Sequence, residues 1–550
     1  MKMVRSLLLG SAAGFVAVAG AQAADMPVKA KPVEYVKICS LYGAGFYYLP
    51  GTDICVKQGA YVRFQTYYNM GLTSATNGPF IGNAGQQTAF GSVTGTNNDL
   101  TYRARSVYTF DARTQTEYGT LRAYALIGFS QDSPGNAPGA ANATLYATRG
   151  FIQFAGFTVG KASSFYDIWS VPANSYFAVW SSDTGDAGDM LAAYTFQFGN
   201  GFSATLSAED PRRLTVTNVT VSATGVNPFV LAAASSNDAA NLKWPDVVGN
   251  LRVDQAWGSF QVMGAVHDNS GAYWLPSAGI TCGATAFGGT LTGDLACGRP
   301  GDELGFAVGA GGIFKIPMWT GLTDIASFQV NYTEGASRYA VFTQPAAGQI
   351  NMFGNTGFAT CPVAPAVAGI APTCLGSLGV GLLADGIFAN PGALVGYDGS
   401  VHNTRVWGVN AAWDHLWTPN LKTSVYGAFI RVEYDSTAKA LIGIAECTVI
   451  PGITGVAVPI TVGTAAGALS RASNCDPDFD FFQVGSRTQW NITPSFYVGF
   501  DVMYQKLDTA FSGVGFFTAA AGLPRPTGNY TIADQDTVSV TARAHWDILP

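Results

Sequence analysis

The sequence predicts an all-β protein, a sixteen-stranded antiparallel transmembrane β-barrel with a constriction loop folded into its lumen. Three observations support this. Only 12% of the 550 residues are charged, about half the usual share. Polar and apolar side chains alternate along many segments, which is the period of a strand between two different surroundings. The connections between these segments are alternately short and long, as in barrels that cross a membrane.

Each strand is assigned from this alternation and from the turn that follows it. In the first strand, Val62 and Phe64 alternate with Arg63. Further along the chain, the Asn200-Gly201 dipeptide predicts a hairpin, because Asn-Gly is the strongest short hairpin signal. The strands are predicted at residues 59–68, 100–116, 120–129, a hairpin that opens at Arg149 and turns at Gly156, 191–198, 202–209, 247–255, 259–267, 303–315, 325–332, 405–416, 421–434, 481–490, 496–506 and 535–546.

The N-terminus has the pattern of a secretory signal peptide. Lys2 and Arg5 precede an apolar run from Leu7 to Ala19, and Ala21-Gln22-Ala23 supplies a small-residue cleavage site. A membrane-anchoring helix is the alternative, but the run is short and no stop-transfer pattern follows. Since no later apolar run could cross a bilayer as a helix, a membrane-embedded chain must be a barrel.

Three parts of the chain follow from these signals. We expect a signal peptide over residues 1–23, an N-terminal lead-in over residues 24–56 and a barrel domain over residues 57–550. The formal net charge is −7, and loss of Lys2 and Arg5 with the signal makes it more negative. This acidic balance argues against nucleic acid as a partner.

Eight cysteines in an exported chain favour disulfide bonds. They occur as sequence neighbours: Cys39 with Cys55, Cys282 with Cys297, Cys361 with Cys374, and Cys447 with Cys475. Each neighbouring pair would lie within one loop or at one end of the chain, although the sequence alone leaves other pairings open. Zinc binding is the competing interpretation, but no Cys-x-x-Cys motif or histidine lies beside them, so we expect no metal.

Arginines cluster on the face that we predict to line the lumen. Arg103, Arg105 and Arg113 share one face of their strand, and the parity of the next strand puts Arg122 on the same side. Arg63 and Arg149 complete this set. Like charges repel each other unless acids lie opposite.

The segment from Ser163 to Asp189 has no clean period and is interpreted as a loop that folds inward. It carries the acids that could face the arginines: Asp167, Asp183, Asp186 and Asp189. Opposed charges in a narrow lumen sort solutes by charge, so these ten residues are the candidate constriction. The alternative is that the arginines only keep the lumen wet or neutralise lipopolysaccharide near the rim.

Long connections and exposed aromatic residues give weaker predictions. Tyr339 to Ala384 and Cys447 to Ser470 contain no charged residue, and we expect them to pack on one another over the barrel mouth, held by the last two cysteine pairs. Pro211 to Asp246 gives little signal. Candidate girdle residues, or contacts between protomers, are Tyr108, Trp257, Trp413, Trp417, Trp490 and Trp546.

Several stretches resemble the alphaproteobacterial general porins. They are Glu34 to Cys39, Tyr42 to Thr52 with Cys55, Phe151 to Asp167, Phe198 to Asp210, and Trp244 to Gly258. The resemblance implies a homotrimer of sixteen-stranded barrels in the outer membrane of a Gram-negative bacterium, in contact with lipid and lipopolysaccharide. It also implies passive diffusion of ions and small hydrophilic solutes without a cofactor, past a third external loop at about Phe165 to Met190. The chain departs from the family by ending in Ile548-Leu549-Pro550, and Trp546 is the nearest substitute for a terminal aromatic residue.

Other function classes are less well supported. An enzyme needs a nucleophile and a base brought together, yet the four histidines are scattered without a serine or acid motif beside them. The glycines at 309, 311 and 312 lack the spacing and the following helix of a dinucleotide site. A substrate-selective channel would need a ladder of aromatic residues that the alternation does not clearly show, and an adhesin would work with a blocked pore.

Overall fold

The computed structural model describes residues 38–68, 88–89, 100–133, 143–169, 174–177, 188–212, 215–219, 239–240, 243–273, 298–341, 349–353, 359–360, 373–389, 391, 397–446, 474, 476–517 and 528–549. It divides into two compact units, residues 1–57 and residues 58–550. The predicted signal peptide lies outside the described residues, as does the lead-in up to residue 37.

The described part of the first unit is a small disulfide-linked turn. A 3-10 helix at Ser40–Tyr42 is followed by a two-residue strand, Tyr47–Tyr48, which pairs with Val56 and Cys55. Cys39 and Cys55 form a disulfide bond, with 5.9 Å between their Cα atoms, and both are buried against Phe46. The first predicted cysteine pair is therefore confirmed.

Sixteen long strands make the barrel, as the sequence predicts. They are β1 Cys55–Tyr68, β2 Leu100–Thr116, β3 Gly119–Ser133, β4 Ala143–Phe154, β5 Phe157–Ala162, β6 Asp189–Gly199, β7 Phe202–Glu209, β8 Asp246–Gln255, β9 Gly258–Asp268, β10 Leu304–Pro317, β11 Thr323–Glu334, β12 Arg405–Thr418, β13 Leu421–Glu433, β14 Phe479–Asn491, β15 Phe496–Asp508 and β16 Gln535–Leu549. Each pairs with its neighbours in the chain, antiparallel in every register described, and β16 pairs with β1, where Trp546 lies opposite Val62. The sheet is thus closed.

The two faces of the barrel differ as the alternation requires. On β2, Tyr108 and Phe110 are exposed on the outside, whereas Arg105, Val107 and Asp111 are buried on the inside. All six candidate girdle residues are likewise exposed, between 44% and 59%. An apolar outer band and a polar interior suit a barrel in lipid.

The turns explain why neighbouring strands reverse within so few residues. Between β6 and β7, Gly199, Asn200 and Gly201 all have positive φ, at 87°, 52° and 78°. Glycine and asparagine adopt this left-handed backbone with the least strain, which confirms the predicted Asn-Gly hairpin. The other short turns lie at the same end of the barrel, and the long loops lie at the opposite end.

The long loops build a hydrophobic core of their own. Short strands at Gln349–Phe353, Thr373–Leu382, Gly513–Phe517 and Gly528–Ile532 form a sheet, and a helix, α1, spans Ser436–Glu446. Leu378, Leu441 and Tyr530 are buried together with Phe481, an inward-facing residue of β14. Residues 373–384, one described part of the first uncharged segment, contribute to this core and so pack at the barrel mouth.

The remaining cysteines are only partly described. Cys374 is disulfide-bonded. Its predicted partner Cys361 lies outside the described residues, and so do Cys282, Cys297, Cys447 and Cys475. Those pairings stay predictions. Within the described residues, no helix has the length and apolarity to span a bilayer.

Candidate functional site: a constriction inside the barrel

The loop between β5 and β6, residues 163–188, is called the inward loop below, and its described residues contact the inner wall. Its described parts are residues 163–169, 174–177 and 188. The backbone N–H of Phe165 donates to Glu209 on β7 at 3.0 Å, and that of Ile168 donates to Gln329 on β11 at 3.2 Å. Both acceptors point into the lumen, so the prediction that this segment folds inward is confirmed for these residues.

The second described part of the loop is held on the opposite wall. Asn174 Nδ2 donates to Asp414 on β12 at 2.7 Å. The N–H of Tyr176 donates to Asp501 on β15 at 2.6 Å, and Ser175 Oγ donates to the same carboxylate at 3.2 Å. Hydrogen bonds to a charged acceptor contribute about 1.5–3 kcal/mol each, so this attachment is firm.

Glycines on the inner wall make room for the loop. A Cβ at Gly311 would lie 2.6 Å from Ile168, and one at Gly309 would lie 3.0 Å from the hydroxyl of Tyr166. At Gly499, a Cβ would lie 2.8 Å from two ring carbons of Tyr176 and closer still to its hydroxyl. Glycine within a strand often marks such a close approach. The pattern of these glycines is therefore part of the constriction.

A buried arginine anchors the base of the loop. Arg212, three residues after β7, is 1% exposed. Its Nη2 donates to Asp167 at 2.9 Å and its Nε donates to Asp189 at 3.2 Å. The guanidinium also lies over the ring of Tyr339, 4.5 Å from the centroid. One cation thus joins both ends of the inward loop to the wall.

Burial and charge act in opposite directions on this arginine. Burial alone would lower the pKa of Arg212, but the carboxylates of Asp167 and Asp189 outweigh it, and the pKa lies above its ordinary value. Burial raises the pKa of Tyr166, and the neighbouring Asp167 raises it further. At neutral pH the arginine is therefore charged and the tyrosine is neutral.

The anchor extends to a surface loop through Asp246. This carboxylate accepts from the hydroxyl of Tyr339 at 2.7 Å and from the backbone N–H of Arg212 at 3.3 Å, and it lies 2.8 Å from Nδ1 of His267. Tyr339 belongs to the loop between β11 and β12. The inward loop and the surface loop therefore share one buried network.

Two of the predicted wall arginines share one acid. Asp111 on β2 accepts from Arg113 at 2.7 Å and from Arg122 at 2.9 Å. Arg122 also donates to Gln153 at 2.9 Å. Asp111 is absent from the residues predicted to line the constriction, although the alternation puts it on the same face as Arg113 and Arg122. These opposite charges lie side by side on one wall.

The other predicted arginines lie at different depths. Arg103 and Arg105 are buried near the loop end of β2, and Arg105 Nε donates to Ser130 at 2.7 Å. At about 3.3 Å per residue, Arg105 and Arg113 are about 26 Å apart along the strand. The structure therefore does not bring the six arginines into one ring.

Arg149 and Arg63 occupy two further places on the same side of the lumen. Arg149 donates to Ser163 Oγ at 2.8 Å, where the inward loop begins. Arg63 lies over the ring of Tyr61, 5.5 Å from its centroid. Both side chains are on the inner face that parity predicts.

The acids of the loop differ from the expectation. Asp167 and Asp189 were expected to oppose the wall arginines, but both are held by Arg212 instead. Arg212 comes from the region Pro211 to Asp246, in which the sequence analysis found little signal. The one sequence signal for the role of Arg212 is that this basic residue follows β7, the strand that pairs with β6. Asp183 and Asp186 lie outside the described residues.

A cavity of about 600 Å³ lies between the base of the inward loop and the wall. Its lining includes Tyr124, Arg149 and Phe151 on one side and Asn250 and Arg252 on the other. Most of the lining groups are polar, as expected of a water-filled lumen. Among the described residues, no group of three or more His, Cys, Asp or Glu side chains could hold a metal ion.

A closed barrel with an apolar outer face, a polar interior and a loop seated in its lumen belongs to the class of outer-membrane channel barrels. Residues 25–541 match the family described as the porin subfamily, and the chain belongs to that family. It is an outer-membrane protein of the Gram-negative type, as this membership implies.

Curated relatives support this at moderate identity. Porin Omp2b of Brucella melitensis is 30% identical over 270 residues, which cover 46% of this chain and 64% of the relative. Porin Omp2a of Brucella ovis is 29% identical over 277 residues, which cover 46% of this chain and 68% of the relative. The match thus spans less than two thirds of the first relative.

The solved structures to which this chain is similar share little sequence with it. The outer-membrane channel DcaP of Acinetobacter baumannii has a TM-score of 0.49 at 12% identity, covering 91% of this chain and 99% of that one. An anion-selective porin from Comamonas acidovorans has a TM-score of 0.36 at 10% identity, covering 90% of this chain and 99% of that one.

Proposed function

We propose that this protein is a passive diffusion channel for ions and small hydrophilic solutes. The supporting observation is the inward loop, whose contacts follow the wall from Glu209 on β7 to Asp501 on β15. The wall from β1 to β4 carries the arginines and faces the remaining lumen. Solutes cross between the loop and this wall, down their gradients, without a covalent step.

Six arginines form the positive wall of the constriction in this proposal. They are Arg63, Arg103, Arg105, Arg113, Arg122 and Arg149. Asp183 and Asp186 are proposed to face them from the loop, whereas Asp167 and Asp189 serve as anchors. Charges that line a narrow pore select ions by sign, because field lines concentrate there.

Conductance tests the proposed function directly. The purified protein is inserted into a planar bilayer, and the reversal potential is read in a salt gradient. We expect large steady openings that close in three equal steps, since we propose a homotrimer embedded among lipid and lipopolysaccharide. A folded protein that carries no current would contradict the channel and favour a barrel-based adhesin.

Membership of the porin family favours a channel over an enzyme.

The double substitution Arg103→Ala with Arg105→Ala should move the reversal potential toward cation preference. The reason is that two positive charges leave the lumen while the barrel wall keeps its backbone pairing, and lumen substitutions tune selectivity. The matched control is Arg405→Ala with Arg431→Ala, which removes two exposed arginines from the outer face of the barrel. Equal shifts in both variants, or no shift in the first, would remove these arginines from the proposed constriction.

A further inference from the structure

Four rings from four different elements line one side of the lumen in a continuous row, which we call the aromatic strip. Tyr176 of the inward loop stacks with Tyr497 of β15, with 6.5 Å between their centroids. Tyr497 stacks with His545 of β16 at 4.7 Å, and His545 lies 4.7 Å from Tyr61 of β1. The strip runs from the inward loop toward the short-turn end of the barrel.

Guanidinium groups lie at both ends of the strip, those of Arg487 and Arg543 over Tyr176 and that of Arg63 over Tyr61. Arg543 is 3.8 Å from the ring centroid of Tyr176, and Arg63 is 5.5 Å from that of Tyr61. These distances are within the range of cation–π contacts. Tyr176 and His545 are buried, whereas Tyr61 and Tyr497 are partly exposed. The strip therefore offers these two rings, with positive charge beside them, to a solute in the lumen.

Arg543 has no carboxylate partner in the part of the chain that the structure describes. Among the described residues it makes no ion pair, and its Nε is buried without an acceptor. The nearby acids are already engaged, because Asp501 accepts from the inward loop and Asp547 lies 3.0 Å from Nε2 of His545. Burying a guanidinium without a carboxylate partner costs free energy unless water or an anionic solute contacts it. The position of Arg543 therefore favours an anionic solute beside it.

We propose that the aromatic strip binds aromatic carboxylates during passage, a deepening that rests on the proposed diffusion function. A carboxylate can make a bidentate contact with the guanidinium of Arg543. The solute ring then meets the edges and faces of Tyr497 and Tyr61, for which centroid separations of about 4.5–7 Å are favourable. Inorganic anions and aliphatic acids gain only the first of these contacts.

The alternation along the sequence does not predict this row of rings, and the reason is geometric. Alternation shows that Tyr61 and Tyr497 face inward, but it does not show which strands lie side by side. Closure of β16 on β1 brings the rings together, and the inward loop adds Tyr176. The strip is thus a product of barrel closure.

Benzoate and cyclohexanecarboxylate are the probes, since they have the same charge and similar size but only benzoate is aromatic. We expect benzoate to reduce the single-channel potassium chloride current at concentrations about 3- to 10-fold lower than cyclohexanecarboxylate, the range expected of one or two ring contacts. Equal inhibition by the two acids, or none by either, would overturn the proposal.

Variants separate the two parts of the site. Tyr497→Leu should remove the preference for benzoate and leave inhibition by cyclohexanecarboxylate unchanged, whereas Arg543→Gln should weaken both. Tyr504→Leu is the matched control, because Tyr504 lies on the same strand and faces outward. Tyr61→Leu replaces Tyr497→Leu if that variant does not fold. A preference that survives both tyrosine substitutions refutes the strip as the site.

Binding is also measured without current, by saturation-transfer NMR of benzoate with the protein in detergent. Benzoate binding that depends on Tyr497 and Arg543 in a protein that carries no current would support the strip and contradict the proposed channel. A protein that conducts normally but does not bind benzoate would support the proposed channel and contradict the strip. The two failures are therefore distinguishable.

Discussion

Substitution Arg212→Met is expected to lower the free energy of unfolding by about 3–5 kcal/mol, the usual result of removing one partner from a buried ion pair. The variant leaves Asp167 and Asp189 without their cation at the base of the inward loop. Because the loop loses its anchor, the single-channel current should become larger and noisier. Urea unfolding and planar-bilayer recording measure the two effects.

Two companion variants show whether the charge is responsible. Combining Arg212→Met with Asp167→Asn and Asp189→Asn should restore part of the stability, because the two carboxylates that Arg212 pairs with are then no longer charged. Arg405→Met removes an exposed arginine paired with Glu334 and should change stability by about 1 kcal/mol or less. An Arg212→Met variant as stable as Arg405→Met would show that the buried pairs do not anchor the loop.

Substitution Gly499→Leu is expected to displace Tyr176 and widen the constriction. Even the first added carbon would lie 2.8 Å from the tyrosine ring, so the ring must move and lose its 3.2 Å hydrogen bond to Gln489. Overpacking of this kind costs about 1–3 kcal/mol. The barrel itself keeps its backbone pairing, so the measured change should be a larger conductance of a protein that is still folded.

The control for this steric prediction is Gly150→Leu. Gly150 lies within β4, and a Cβ added there would have no neighbour within 4 Å. This variant should conduct like the unmodified protein. If Gly499→Leu also leaves conductance unchanged, the described tip of the inward loop does not limit the flow of ions.

Alternation along the chain was enough to predict the barrel. Each strand needs only its own neighbours in sequence to show which side chains face lipid, so Arg103, Arg105, Arg113 and Arg122 could be placed on the inner face. The depth of each arginine in the lumen could also be predicted, since the rise per residue along a strand separates Arg105 from Arg113. Turn chemistry at Asn200 fixed one hairpin for the same local reason.

The anchor and the strip depend on contacts between distant segments. Arg212 meets Asp167 because β5, β6 and β7 are neighbours and because an irregular loop folds back onto them, and no periodicity describes that path. Glycines such as Gly499 are equally uninformative in the sequence. A missing side chain can mark a place where another group approaches the strand, but it does not identify that group. Irregular backbone thus carries the part of the site that local patterns miss.

The pairing of β16 with β1 has a consequence for biogenesis. Those strands come from opposite ends of the barrel domain, so the last ladder of hydrogen bonds cannot form until the whole domain has been synthesised. Until then both edges carry unpaired N–H and C=O groups, for which hydrocarbon offers no partner. Insertion must therefore coincide with closure, and a chain lacking its final strand would be an aggregation-prone polypeptide instead of a narrower pore.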